Sequence, residues 1–198
     1  MSTPSFVHLR CHSEFSVVDG ITRISAMVSK AKEFNQPALA LTDLGNLFGL
    51  IKFYKAARKN GIKAIAGSDL YLENEQDRDK PFRVAVLAMN HAGYLALCDI
   101  LTKAWLDNQY KGRGEVKREW LYGQDDLILL SGAHQGDVGQ ALLSGKLDQA
   151  WAWAKEWQQH YPNRYFLELQ RAGFEDEERY IQSALGLAQD IGLPVVAT

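Results

Sequence analysis

Four short runs limit what this chain can fold into: residues 37–41 (PALAL), Phe82–Ala88 (FRVAVLA), Leu127–Leu130 (LILL) and Tyr165–Leu169 (YFLEL). A strand wet on one face alternates apolar and polar residues, whereas a nearly continuous apolar run suits a strand covered on both faces. Amphipathic stretches separate these runs. One covers 21–34, with Ile21, Ile24, Met27, Val28 and Ala31 at helical spacing, and another runs from an Asn46 cap through Arg58 to the Asn60-Gly61 stop. Further helices are predicted at about 92–105, Asp137–Leu143, Leu147–His160 and 176–191. Residues 6–11, 62–66, 70–72 and 194–197 read as extended, 73–80 as a solvated loop, and 106–114 as a polar, mobile segment.

Repeated strand–helix alternation implies a parallel sheet covered by helices, either doubly wound or closed into a barrel. The barrel is favoured because Asp43, Asp69, Asn90 and Ser131 follow strand ends, where barrel enzymes assemble their sites. No repeat or low-complexity tract divides the series, so residues 1–198 read as one domain.

At 46% hydrophobic and 23% charged, the chain buries a core without cross-links. Cys11 and Cys98 lack zinc or disulfide spacing and read as reduced, buried thiols. Net charge is −2, from 22 basic and 24 acidic residues, so any nucleic-acid contact must be local or come through a partner. The start MSTPSF is not a leader, and no run approaches the roughly 20 apolar residues of a membrane helix, so a cytoplasmic protein is expected. No Walker loop, GxGxxG or GxSxG follows any strand.

The stretch FVHLRCHSEFSVVDG (residues 6–20) puts His8, Arg10 and His12 on one face of an extended segment. Histidines so placed converge on a metal, but Arg10 offers only donors and cannot ligate one. Asp19, Asp43 and Asp69 each read alone as turn residues. Together with His12 they form an acidic barrel mouth that either binds a cation or is neutralised by Arg10 and Arg83. His91 opens a helix, His160 ends one, and His134 lies in a turn within reach of the mouth. Trp151, Trp153 and Trp157 read as a packing stripe.

Six blocks, HLRCHSEFSVVDG, ALALTDLGNLFGLIKFYKAARKNGIKAIAGSDLY, VLAMNHAGY, LILLSGAHQGDVGQALL, YFLELQRAG and GLPVVAT, resemble in this order the N-terminal PHP domain of bacterial DNA polymerase III alpha subunits, across residues 6–198. The resemblance implies a distorted (β/α)7, TIM-like barrel, here C-terminally truncated, with a phosphoesterase-like site for up to three metal ions. It places ligand positions at Arg10, His12, Asp19, Leu44, Asp69, Arg83 and Ala133, and two more in a block that follows PVVAT. Arg10, Leu44, Arg83 and Ala133 carry no ligating atom, which leaves His12, Asp19 and Asp69 to hold at most a weak divalent cation (Zn, Mn or Mg). Arg10 or Arg83 is expected to pair with Asp19 or Asp69 instead.

The expected function is that of a degenerate, noncatalytic scaffold that docks the proofreading exonuclease subunit. DNA synthesis and its Mg would belong to the remaining alpha domains, which would also supply the contact with DNA. The alternatives are a still-active metal-dependent phosphoesterase (a pyrophosphatase or 3'-5' exonuclease) and a histidinol-phosphatase-like enzyme.

Overall fold

The computed structural model describes residues 6–198. Eight strands and six α-helices follow one another: α1 (Ile24–Glu33), β1 (Ala38–Leu41), α2 (Leu50–Lys59), β2 (Lys63–Leu72), β3 (Phe82–Ala88), α3 (His91–Asp107), β4 (Gln109–Tyr110), β5 (Arg113–Val116), β6 (Leu127–Leu130), α4 (Asp137–Leu143), α5 (Leu147–His160), β7 (Tyr165–Leu169), α6 (Glu177–Ile191) and β8 (Val195–Ala197). The strands form one sheet in the order β4-β5-β2-β3-β6-β7-β8, with β1 also on β2. The fold is a mixed α/β one, consistent with a distorted TIM-like barrel.

The sheet is not all parallel, as the apolar runs had implied. β3 runs antiparallel to both β2 and β6, while β1–β2, β2–β5, β6–β7 and β7–β8 are parallel. An apolar run is the same read in either direction, so the local pattern does not carry strand orientation. β3 therefore delivers its first residues, including Arg83, to the end where its antiparallel neighbours β2 and β6 finish. Asn90 falls at the opposite end, against expectation. There it caps α3 by accepting from Gly93 N at 3.0 Å and donates to Asp126 at 2.6 Å.

Four further expectations are corrected. Residues 6–11 do not form a ladder strand, although they lie along β1: Ala40 N donates to His8 O (3.0 Å) and Thr42 N to Cys11 O (2.9 Å). Three residues on one side thus face two on the other, a bulge that breaks the repeat. Lys63–Leu72 is one ten-residue strand, long enough to pair β1 with its first four residues and β5 with its last two. The 106–114 segment carries the β4–β5 hairpin, held by the fully buried Glu115, which accepts from Arg113 Nε (2.8 Å) and Arg78 Nε (3.0 Å). The second helix starts at Leu50, since Asn46 closes a turn by accepting from Phe48 N instead.

The larger core joins β2, β3, β6 and β7 to α3–α6; a smaller one packs Ile24, Val28 and Ala31 of α1 on Leu50, Phe53 and Ala57 of α2. Trp157 is buried and donates to Asp137 at 2.8 Å, and Trp153 meets Phe82 edge-on, so the tryptophan stripe is packing. Both cysteines are half-buried and unbridged. Burial, reinforced by the Asp43 carboxylate, pushes the Cys11 thiol up to about 11. No helix among the described residues is long and apolar enough to cross a membrane.

Candidate functional site

Asp69 lies on β2, inside the strand rather than past its end, and is fully buried. Two guanidiniums converge on it. Arg10 Nε donates to Oδ2 at 3.0 Å with Nη2 at 2.5 Å, and Arg83 donates through Nη2 to Oδ2 (2.6 Å) and Nε to Oδ1 (3.2 Å). His12 completes the ring: its Nε2 is 3.2 Å from Asp69 Oδ2, and its Nδ1 is 2.9 Å from Asp19 Oδ1. Asp19 in turn meets Arg83 Nη2 at 3.5 Å and accepts from Ser16 Oγ at 2.6 Å. The sequence therefore supplied five members of one cluster: Arg10, His12, Asp19, Asp69 and Arg83.

The sixth member, Glu168 on β7, was missed. It is fully buried and takes Arg10 Nη1 at 3.2 Å, Gln170 Nε2 at 2.9 Å and Thr198 Oγ1 at 2.6 Å. Its signal was present: it is the one charged residue in YFLEL, and a carboxylate in a two-sided apolar strand must find a partner. Arg10 thus bridges β2 to β7 over the two strands between them.

The remaining candidates have other places. Leu44 is buried and bridges Asp69 through the backbone, and its N–H donates to Ser16 Oγ at 2.9 Å. Ala133 is fully buried in the turn after β6 and brings no polar atom. Asp43 accepts from Ser13 N and Oγ at 2.6 and 2.9 Å, which fixes the 13–20 loop rather than entering the ring. Ser131 accepts from Glu168 N at 2.9 Å. His134 sits against Phe174, His160 stacks on Tyr122 and His91 on Tyr94.

Charge is balanced within the cluster. Three carboxylates (Asp19, Asp69, Glu168) face two guanidiniums, and a protonated His12 brings the sum to zero. Burial acts to raise the Asp69 carboxyl, but Arg10, His12 and Arg83 outweigh it and hold the group well below the usual carboxylate range. Burial likewise opposes charge on His12, and Asp69 and Asp19 overcome it, so the imidazole titrates above its ordinary value. Both ring nitrogens face carboxylate oxygens, as the imidazolium form requires.

That donor set does not fit a dinuclear or trinuclear divalent centre. The oxygens of Asp69 already accept from guanidiniums, His12 Nδ1 is bonded to Asp19 while Nε2 lies 3.2 Å from Asp69 Oδ2 without hydrogen-bond geometry, and Leu44 and Ala133 offer nothing. Among the described residues, no group of three or more His, Cys, Asp or Glu side chains is arranged to hold a metal ion.

Residues 8–172 match the family model of the PHP domain. The chain belongs to the PHP domain family. Its full length is 44% identical to part of the DNA polymerase III subunit alpha of Neisseria meningitidis serogroup A and, again at 44%, to that of Escherichia coli K12. The similarity lies in the N-terminal region of those subunits. A Pseudomonas fluorescens alpha subunit is 41% identical over 98% of the chain. The chain spans only 17–18% of the length of these relatives. In fold, this PHP domain is similar to a Bifidobacterium adolescentis protein assigned as a metal-dependent phosphoesterase (TM-score 0.61, 12% identity, 98% of this chain and 87% of that one). It is similar also to a Chromobacterium violaceum amidohydrolase (TM-score 0.60, 15% identity, 96% and 87%).

Proposed function

We propose that this PHP domain, one unit over residues 1–198, is the N-terminal module of a cytoplasmic replicative DNA polymerase alpha subunit, and that its metal pocket has become a closed ion-pair cluster. The module then serves as a noncatalytic scaffold and as a dock for the proofreading exonuclease subunit, while nucleotidyl transfer, with its Mg, belongs to the remaining alpha domains. One observation carries the reading: both carboxylate oxygens of Asp69 are taken by Arg10 and Arg83, two of the positions where the family resemblance expects ligands. A guanidinium supplies the positive charge of a cation but has neither open coordination positions nor the ability to activate water. Exposed Leu147 on α5 and Leu185 on α6, with Phe174 before α6, are the apolar positions on the late helices where the exonuclease is sought first.

The test is metal content and phosphatase turnover of the purified chain supplied with Zn²⁺, Mn²⁺ and Mg²⁺, beside Asp69→Asn. Substoichiometric metal and no turnover that depends on Asp69 are expected. Stoichiometric metal with Asp69-dependent turnover would replace the scaffold by an active phosphoesterase, the chemistry named for the Bifidobacterium neighbour. Docking is read by titrating the polymerase's own exonuclease subunit onto the chain by calorimetry, with Leu147→Glu as the variant expected to weaken it.

A further inference from the structure

The near-neutral net charge conceals a strong segregation. Residues 22–63 carry eight Lys and Arg against only Glu33 and the buried Asp43. Lys30 spends its charge on Glu33 (2.8 Å) and Lys52 on Glu14 (2.8 Å). Arg23, Lys32, Lys55, Arg58, Lys59 and Lys63 are exposed and have no ion-pair partner among the described residues. A merely solvated helix face mixes both signs, so one sign without counter-charges calls for an anionic partner.

Helix α2 gives the patch its form. Leu50, Phe53 and Ala57 face the core, so Lys52, Lys55 and Lys59 (i, i+3, i+7) share one outward stripe. At 1.5 Å per residue that stripe is about 10 Å long. Beside it runs a second stripe of Ile51, Tyr54 and Arg58, preceded by Phe48 at the helix start. Phe48 is 73% exposed, Ile51 61% and Tyr54 47%. The Arg58 guanidinium lies 5.7 Å from the Tyr54 ring, and its Nη1 is 3.4 Å from the phenol oxygen, which holds the ring out along the helix surface. Exposed rings next to unpaired cations are the two parts of a platform on which bases stack while the phosphates meet Lys and Arg. An acidic polypeptide would answer the lysines but not the adjoining rings.

We propose that the outer face of α2 binds single-stranded nucleic acid, with Lys55 and Lys59 on phosphates and Tyr54 and Phe48 under bases. The face lies apart from the Asp69 cluster and shares no residue with it, so metal uptake by that pocket would leave this inference intact.

The test is fluorescence anisotropy of labelled oligo(dT) titrated with the purified chain across a salt series. The arms are Lys55→Ala/Lys59→Ala, Tyr54→Ala, an Arg171→Ala control on a distant exposed residue, a duplex of equal length, and polyglutamate as competitor. All four substituted residues are exposed, and circular dichroism verifies the fold of each variant. The lysine pair is expected to flatten the log–log salt slope by about 1.4 and to weaken binding at 0.1 M salt on the order of 20-fold. Tyr54→Ala is expected to cost about fivefold or more with the salt slope unchanged, and Arg171→Ala to change neither. The inference is overturned by an absence of salt-dependent binding, by binding that the lysine pair leaves unaltered, by tighter binding of duplex than of single strand, or by displacement with polyglutamate at equal charge concentration.

Discussion

Arg83 Nη2 stands 2.6 Å from Asp69 Oδ2, on neighbouring antiparallel strands whose register sets Arg83 beside Tyr71, two residues beyond the aspartate. Across the pocket Arg10 reaches the same oxygen, so one buried carboxylate anchors two cations whose side chains are only 7% and 13% exposed. The cluster is stable as a whole and intolerant of losing a member, because a buried charge without its partner keeps its full desolvation cost.

Asp69→Ala leaves two largely buried guanidiniums facing each other and is expected to destabilise the chain by about 3–5 kcal/mol. Urea unfolding followed by circular dichroism measures it. A loss below about 1 kcal/mol would mean that the arginines escape to solvent and that the cluster is not structural.

The pH dependence of folding follows from His12, Asp19 and Asp69. His12 titrates above its ordinary value when folded, so its contribution is complete below about pH 6.5 and is lost as pH rises through the folded value. Asp19 and Asp69 titrate below theirs, so their contribution is present above about pH 4 and is lost as pH falls. Arg10 and Arg83 stay charged throughout, while the nearby Asp43 carboxyl, raised by burial, acts in the opposite sense to Asp19 and Asp69 on the acid side. Stability is therefore expected to be greatest between these limits and to decline on the alkaline side. His12→Gln should remove that alkaline decline; a decline of unchanged size in the variant assigns it to another group.

Gly132 takes φ +76°, and a Cβ there would lie 2.1 Å from the carbonyl oxygen of Arg83. Gly132→Ala must both enter the left-handed region and push β3 aside. A loss of at least about 1–3 kcal/mol is expected, with a lower thermal midpoint. An unchanged midpoint would show that the turn after β6 does not position Arg83.

Glu115→Gln removes the carboxylate on which Arg78 and Arg113 converge, yet both arginines can turn to water. Global stability should change little, while amide exchange of Gln109–Tyr110 and Arg113–Val116 accelerates. Uniform acceleration across the sheet would contradict a local role.

Much of the fold is legible in the sequence because burial imprints itself locally. PALAL, LILL and YFLEL became strands, and the helical spacings became α1 to α6. The direction of β3 and the bulge opposite β1 were not legible, since both depend on which hydrogen bonds a neighbouring strand offers. Asn90 and Ser131 show the limit of reading site residues from strand ends: one caps a helix at the far end, and the other holds Glu168 in place.

What the sequence determines by itself is which atoms are on hand. Arg10, Leu44, Arg83 and Ala133 have no lone pair to give a cation wherever they fold, because that is a property of the side chain alone. What only the tertiary structure decided is the company each charge keeps. Arg10 finds Glu168 158 positions away along the chain, and no local pattern encodes that pairing. It arises because β2 and β7 lie in one sheet with β3 and β6 between them, and a buried charge accepts whichever counter-charge that geometry places within reach.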